Sequence, residues 1–198
     1  QELVVKVALS ATSTEGALKN LQAEAMNKDF ETLAHEASES WNRQLASLEV
    51  EGTNDQKAMF YTSYYHTLIN PSVYMDVDGK YRGLDQNIHQ ADGFTNYTVF
   101  SLWDTYRAEH PFLMLMKPEQ ARDMAMSMIR HQQQSVHGLL PIWSHMANDN
   151  WCMSGYHAAS VLADAIAKGA DIHQEEALKA MVTTSKVTYL DGIGEYME

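Results

Sequence analysis

"FETLAHEASESWNRQLASL", residues 30–48, decides the fold class. Phe30, Leu33, Ala34, Ala37, Trp41, Leu45 and Leu48 recur at spacings of three and four, which puts all seven on one side of a helix. The same period returns along most of the chain. "EGTNDQ" (51–56) interrupts it, and Thr53 with Gln56 opens a capping box. Ala58, Tyr61, Tyr64, Tyr65 and Leu68 then mark a second helix, which Pro71 stops. Further helices are expected over 96–110, ended by Pro111, and over 118–134, with Pro118 in the first turn and Gly138 after the end. Two more are expected over 154–168, stopped by Gly169, and over 173–190. Upstream, "TSTE" (12–15) has the capping-box pattern for a helix running to about Ala25.

Only "LVVKVAL" (3–9) reads as a strand. A single strand cannot satisfy its own backbone, so its sheet is expected to lie outside this sequence. Two segments are irregular. Residues 70–96 are polar, aromatic and punctuated by Asp-Gly turns at 78–79 and 92–93, and residues 138–155 are rich in tryptophan. Short and long connections therefore alternate. Antiparallel helix pairs with short links at one end and long loops at the other are the expected result, and such pairs curve into a toroid. Six pairs would close one, and the sequence supplies roughly three.

The 198 residues carry 26 acidic and 14 basic side chains, a formal charge of −12. That balance, without a basic stretch, excludes a broad nucleic-acid surface. No apolar run approaches the ~20 residues of a spanning helix. Cys152 is the only cysteine, so no intrachain disulfide can form, and it is expected to be a buried small hydrophobe. Gln1 is no initiator, so the chain is expected to be a processed product or an excerpt.

The chemistry-bearing stretch is "SLWDTYRAEHP" (101–111). Two readings of Trp103 and Asp104 stand side by side. In one, the indole packs and the carboxylate pairs with Arg107, three positions on. In the other, the indole is a platform for the apolar face of a sugar while the carboxylate accepts hydrogen bonds from its hydroxyls. Glu109 and His110 are expected to hold helix and loop together. Trp143, Trp151 and Tyr156, around "HMANDN", either share a pocket wall with 97–104 or pack at a rim.

"DVDG" (76–79), with Asp76 and Asp78, superficially resembles a calcium loop, and Asp92 precedes another glycine, but Asn87 stands where an EF-hand starting at Asp76 needs its twelfth-position glutamate, so turn capping is the expectation. "HEASE" (35–39) lacks the second histidine of a zinc peptidase, and the nine histidines form no zinc pattern. The twelve methionines are read as core filling. No nucleophile elbow or phosphate-binding glycine motif is present.

"YTSYYHTLINPSVYMDVDGKYRG" (61–83), "FTNYTVFSLWDTYRAEHP" (94–111) and "NWCMSGYHAASVLADAIAKG" (150–169) together closely resemble glycoside hydrolase family 92. "LVVKVALSATSTEGALKNLQAE" (3–24) is similar to that family's passage from a β-sandwich into helices. The resemblance implies an inverting, calcium-dependent, exo-acting α-mannosidase, acting on α-1,2-linked mannose in glycans and built from a β-sandwich and an (α/α)6 toroid. It implies an all-α excerpt, with residues 1–10 as the last β-sandwich strand, 11–52 as linker helices and 53–198 as the first part of the toroid. Trp103 and Asp104 match residues lining the subsite for the terminal mannose. The family's acid and base lie beyond residue 198, as do most of its calcium ligands. This piece is therefore expected to be inactive alone and to bind no calcium itself. Its partners would be the remainder of its polypeptide and a mannose-containing glycan, with self-association through exposed helix faces. The family implies a bacterial periplasmic, cell-surface or secreted location. A non-catalytic helical domain that binds carbohydrate or serves structure is the alternative.

Overall fold

The structure is a computed structural model that describes residues 3–153 and 155–187. The chain divides into two units, one of residues 1–70 with 76–78, the other of 71–75 with 79–198.

The first unit holds three helices, α1 (Thr14–Glu24), α2 (Phe30–Leu45) and α3 (Asn54–Thr67). Ser13, one residue after the expected cap, accepts from Gly16 N and starts α1. Asp29 caps α2, and the Thr53–Gln56 capping box forms as the sequence indicates. The stripe of α2 is not a buried seam here. No α2 residue is buried, Phe30 is 75% exposed, and the main contact is Trp41 edge-on to Tyr65 of α3 at 4.5 Å. Tyr64 supplies the buried anchor, its hydroxyl 2.6 Å from Ser47 Oγ. Residues 3–9 enter no ladder among the described residues, and Leu3, Val4, Val5, Val7 and Leu9 are all exposed. Lys6 fastens this segment, its ammonium donating to the carbonyls of Ala25, Met26 and Lys28 just past the end of α1. A cation there also suits the negative end of the helix dipole.

The second unit contains β1 (Ser72–Val73), β2 (Lys80–Arg82), β3 (Ile88–Gln90), β4 (Tyr97–Thr98), β5 (Phe100–Ser101), α4 (Leu102–Thr105), α5 (Glu109–Met116), α6 (Pro118–Gln134), β6 (Trp143–Ser144), α7 (His157–Ala167) and α8 (Gln174–Ser185). Its helices stack as antiparallel pairs, α6 packing on α5, α7 and α8, in the manner of part of an (α/α)6 toroid. Met124, Ala125, Met128 and Ile129 of α6, Leu113 of α5, Leu162 of α7 and Ala177 of α8 are all buried in the core. Core filling holds for Met114, Met124, Met126 and Met128, which are buried, but not for Met26, Met59, Met146 and Met153, which are exposed. α7 starts three residues later than expected and α8 stops short, since 155–156 and 186–187 are not helical, and residues 154 and 188–190 of the expected helices lie outside the described residues.

The strands form three separate antiparallel pairs, β1 with β4, β2 with β3 and β5 with β6. The last pair joins the second long loop to the segment that leads into α4, with Phe100 opposite Ser144 and Ser101 opposite Trp143. Gln86 of the first long loop donates to Ala147 O of the second, so these parts of both loops lie at the same end of this unit.

One helix is corrected. Residues 96–110 are not continuous helix. Asn96 through Ser101 are drawn into strand pairing instead, with Thr95 N donating to Asp123 Oδ2 and Tyr97 N to Ser127 Oγ on α6. These outside acceptors, with the β-branched Thr95, Thr98 and Val99, outweigh a helical period. Pro111 does not end a helix but sits in the first turn of α5, where its missing N–H costs no hydrogen bond. Among the described residues no helix is long and apolar enough to cross a membrane.

Candidate functional site

Phe100 and Leu102 are both 1% exposed and root the short α4 in the core. Trp103 and Asp104, next in the chain, point away from that core. Trp103 is 52% exposed and Asp104 is exposed as well. Ser101 precedes α4 and its hydroxyl donates to Asp104 Oδ2. The Asp104–Arg107 pair does not form. Arg107 instead donates from Nε to the Tyr106 hydroxyl at 2.5 Å and lies over the Tyr106 ring. Tyr106 in turn stacks on His157, at the start of α7, with centroids 4.1 Å apart and planes 16° from parallel. The indole and carboxylate are thus presented side by side on a short turn held from below and behind.

Glu109 and His110 behave differently from each other. His110 is 3% exposed, and burial pulls its imidazole down to about 4, so it is a neutral core residue near Phe100 at neutral pH. That fits a role in holding the helix. Glu109 is half-buried, and burial first, then the charge of Asp104, push its carboxyl up to about 7. A second carboxyl that holds its proton near neutrality therefore adjoins Asp104.

Across the β5–β6 pair lies the loop that carries Trp143 and Trp151. Asp149 organises it. This carboxylate, with no side-chain exposure, accepts from Ile142 N at 2.9 Å, Trp143 N at 3.2 Å and Trp151 N at 3.0 Å. His131 Nε2 of α6 lies 3.5 Å from Asp149 Oδ2, an electrostatic contact too long for a good hydrogen bond, and has no other partner. Burial pushes the Asp149 carboxyl up, but His131 and the N–H donors outweigh it and hold it below the ordinary value. Trp143 stacks with His145, and Trp151 meets His137 edge-on. Tyr156 is anchored separately, donating to Met181 O. Cys152 is exposed, not buried, because it lies on the open part of this loop.

A small polar cleft lies beside the two loops, lined by Tyr81, Asn96, Thr98, His131, Gln134 and Ser144 among others. Trp103 and Asp104 do not line it. Spacing arguments found neither this cleft nor Asp149, since neither leaves a periodic signature.

The acidic turn is closed to a cation. Asp76, 3% exposed, is a hub that accepts from Ser10 Oγ at 2.7 Å, Asn20 Nδ2 at 2.9 Å and Thr12 Oγ1. Burial alone would raise its carboxyl, and these three donors outweigh burial and lower it. Its oxygens already serve donors, and Asp78 is paired with Lys19 at 2.8 Å. A calcium ion would have to displace both sets, so these residues do not fit the ion that the resemblance implies. Among the described residues no three His, Cys, Asp or Glu side chains gather as a metal site.

Comparison with known proteins turns this geometry into a family assignment. Residues 16–197 match the profile described as the glycosyl hydrolase family 92 catalytic domain. A family 92 α-mannosidase of Bacteroides thetaiotaomicron, solved in complex with mannoimidazole, is 45% identical over 94% of this chain at a TM-score of 0.89. A family 92 inverting mannosidase from the same organism is 32% identical over 92% of this chain at 0.84. This chain spans 25% of the length of each of those molecules. No curated protein matched it. The matched span, the identity and the shared helix-pair architecture agree: the chain belongs to glycosyl hydrolase family 92.

Proposed function

We propose that this chain is part of a longer inverting exo-α-mannosidase acting on α-1,2-linked mannose at the ends of glycans. In this reading residues 1–10 belong to a β-sandwich, 11–52 link it to the toroid and 53–198 begin the toroid. Trp103 and Asp104 form part of the subsite for the terminal mannose. The observation that carries the assignment is their joint exposure on a turn that the buried Phe100 and Leu102 lead into and whose Arg107 is engaged elsewhere. An indole offers a flat apolar surface to one face of a sugar, and a carboxylate accepts two hydroxyl hydrogen bonds.

Inverting hydrolysis needs an acid and a base about 6.5–9.5 Å apart, on opposite sides of the sugar carbon. Asp104 and Glu109 lie on one short stretch, and neither is assigned either role. The acid, the base and the calcium that the family uses would come from the rest of the polypeptide, which works outside the cytoplasm in this reading. Calcium would supply electrostatic help in holding and distorting the mannose, and no residue of this chain is assigned to it.

The test uses the longer enzyme. Losing a charged acceptor costs about 2–4 kcal/mol, so Asp104→Asn should lower kcat/KM on α-1,2-mannobiose by about 30- to 1,000-fold while leaving the helical spectrum unchanged. Trp103→Phe keeps an aromatic face and should do less. Two folded variants with parental activity would sink the subsite. The 198-residue chain alone should release no mannose with calcium present. Robust release, abolished by Asp104→Asn, would show it to be complete.

A further inference from the structure

We propose that Asp149 is a positioning residue for the mannose subsite, setting the place of Asp104 through the β5–β6 pair. The inference rests on the subsite reading above. The relay has three links. Asp149 gathers the N–H groups of Ile142 and Trp143 on one arm of its loop and of Trp151 on the other. That grip fixes β6, and a bridge between Ser144 and Asp149 closes the loop on itself. β6 then pairs with β5, Trp143 lying opposite Ser101. Ser101 finally donates its hydroxyl to Asp104.

The backbone around this relay is held in conformations that side chains seldom adopt. Val99, Met146, Ala147 and Trp151 all have positive φ, at 66°, 46°, 61° and 51°. Each is costly for a residue with a Cβ and persists only where surrounding contacts over-determine it. Two such contacts are present. Met146 N donates to Thr98 Oγ1 at 2.8 Å, and Gln86 Nε2 donates to Ala147 O at 2.9 Å. Asp149 supplies the central one, because a single carboxylate accepts from three N–H groups on the two arms of the loop. It never meets solvent, so its effect on a sugar must pass through the backbone.

An Asp149→Asn side chain keeps the shape but replaces one acceptor oxygen with an NH2 group facing an N–H donor. In the longer enzyme this should lower kcat/KM on α-1,2-mannobiose about tenfold or more. The deciding measurement is a double-mutant cycle with Asp104→Asn. If Asp149 acts through Asp104, the double variant is no slower than Asp104→Asn alone. Multiplied effects, or an Asp149→Asn enzyme of parental activity beside an impaired Asp104→Asn, overturn the relay and leave the subsite standing. A neutral Asp104→Asn sinks the subsite and the relay with it.

Glu176→Gln serves as a control for stability. It removes a surface partner of Arg130 remote from the relay and should lower the unfolding temperature without lowering kcat/KM. If Asp149→Asn does not fold, Ser101→Ala gives the same cycle at the last link, since it removes the hydroxyl donated to Asp104. A Ser101→Ala enzyme of parental activity, or an effect that multiplies with Asp104→Asn, refutes the proposal equally.

Discussion

Replacing Glu109 with glutamine should make this protein more stable at pH 8 and leave it nearly unchanged at pH 4. The carboxyl moves from an ordinary 4.5 to about 7, through burial first and the charge of Asp104 second. A group raised in the folded state keeps its proton there while the unfolded chain has already lost it. Its contribution is thus fully present below pH 4.5 and is lost as pH rises to about 7. At about 1.36 kcal/mol per pKa unit the full change is roughly 3 kcal/mol, and solvent screening at a half-buried side chain reduces the expectation to about 1–2 kcal/mol. Urea unfolding followed by circular dichroism, for both proteins at pH 4, 6 and 8, measures it. The gap in favour of Glu109→Gln should open between pH 4.5 and 7 and stay constant above. Asp104→Asn should narrow it by removing the second cause. A gap independent of pH would refute the reasoning, because it would mean that Glu109 ionises in the fold as freely as in the unfolded chain.

Gly16→Ala would place a Cβ against Asp76 Oδ2 and 2.7 Å from Ser10 Oγ, in the middle of the polar hub. Alanine gains about 1 kcal/mol in an open helix, but overpacking here should turn that into a net loss of about 1–2 kcal/mol, seen as a lower unfolding temperature. A rise in that temperature would show that the hub yields easily. Leu162→Ala removes a fully buried side chain of α7 and should cost about 2–5 kcal/mol in denaturant unfolding, with no change in helix content before the transition. A cost under about 1 kcal/mol would place Leu162 outside the core.

The helices were readable because their causes are local. The period of α6, the Pro118 start and the Thr53–Gln56 box need only neighbours in sequence. The loop at 96–101 was not, because its geometry is set by acceptors on α6, near thirty residues away, and by a two-residue ladder with β6. Trp103 and Asp104 could be singled out from residue type and position after a long loop. Asp149 could not, since a carboxylate that binds backbone N–H groups has no side-chain partner types to betray it. Cys152 misled for a related reason: a lone cysteine's burial follows from which part of a loop is covered, and only the folded loop decides that. The acidic turn was separated from an EF-hand by one missing glutamate, and the structure adds that hydroxyl and amide donors already occupy Asp76.

Val99 joins β4 to β5, whose partners are β1 and β6, and its left-handed backbone makes the handover in a single residue. Strand side chains alternate, so inserting or deleting one residue here would turn Phe100 outward and bring Ser101 into the core. Every later position of the turn would rotate with it. Substitution at Val99 is a question of strain, and glycine would relieve it, whereas a change in length scrambles the turn. Natural variation across 96–104 should therefore alter which residues occur while keeping their number fixed, and loop grafts into this end of the domain belong at the Asp-Gly turn of 92–93.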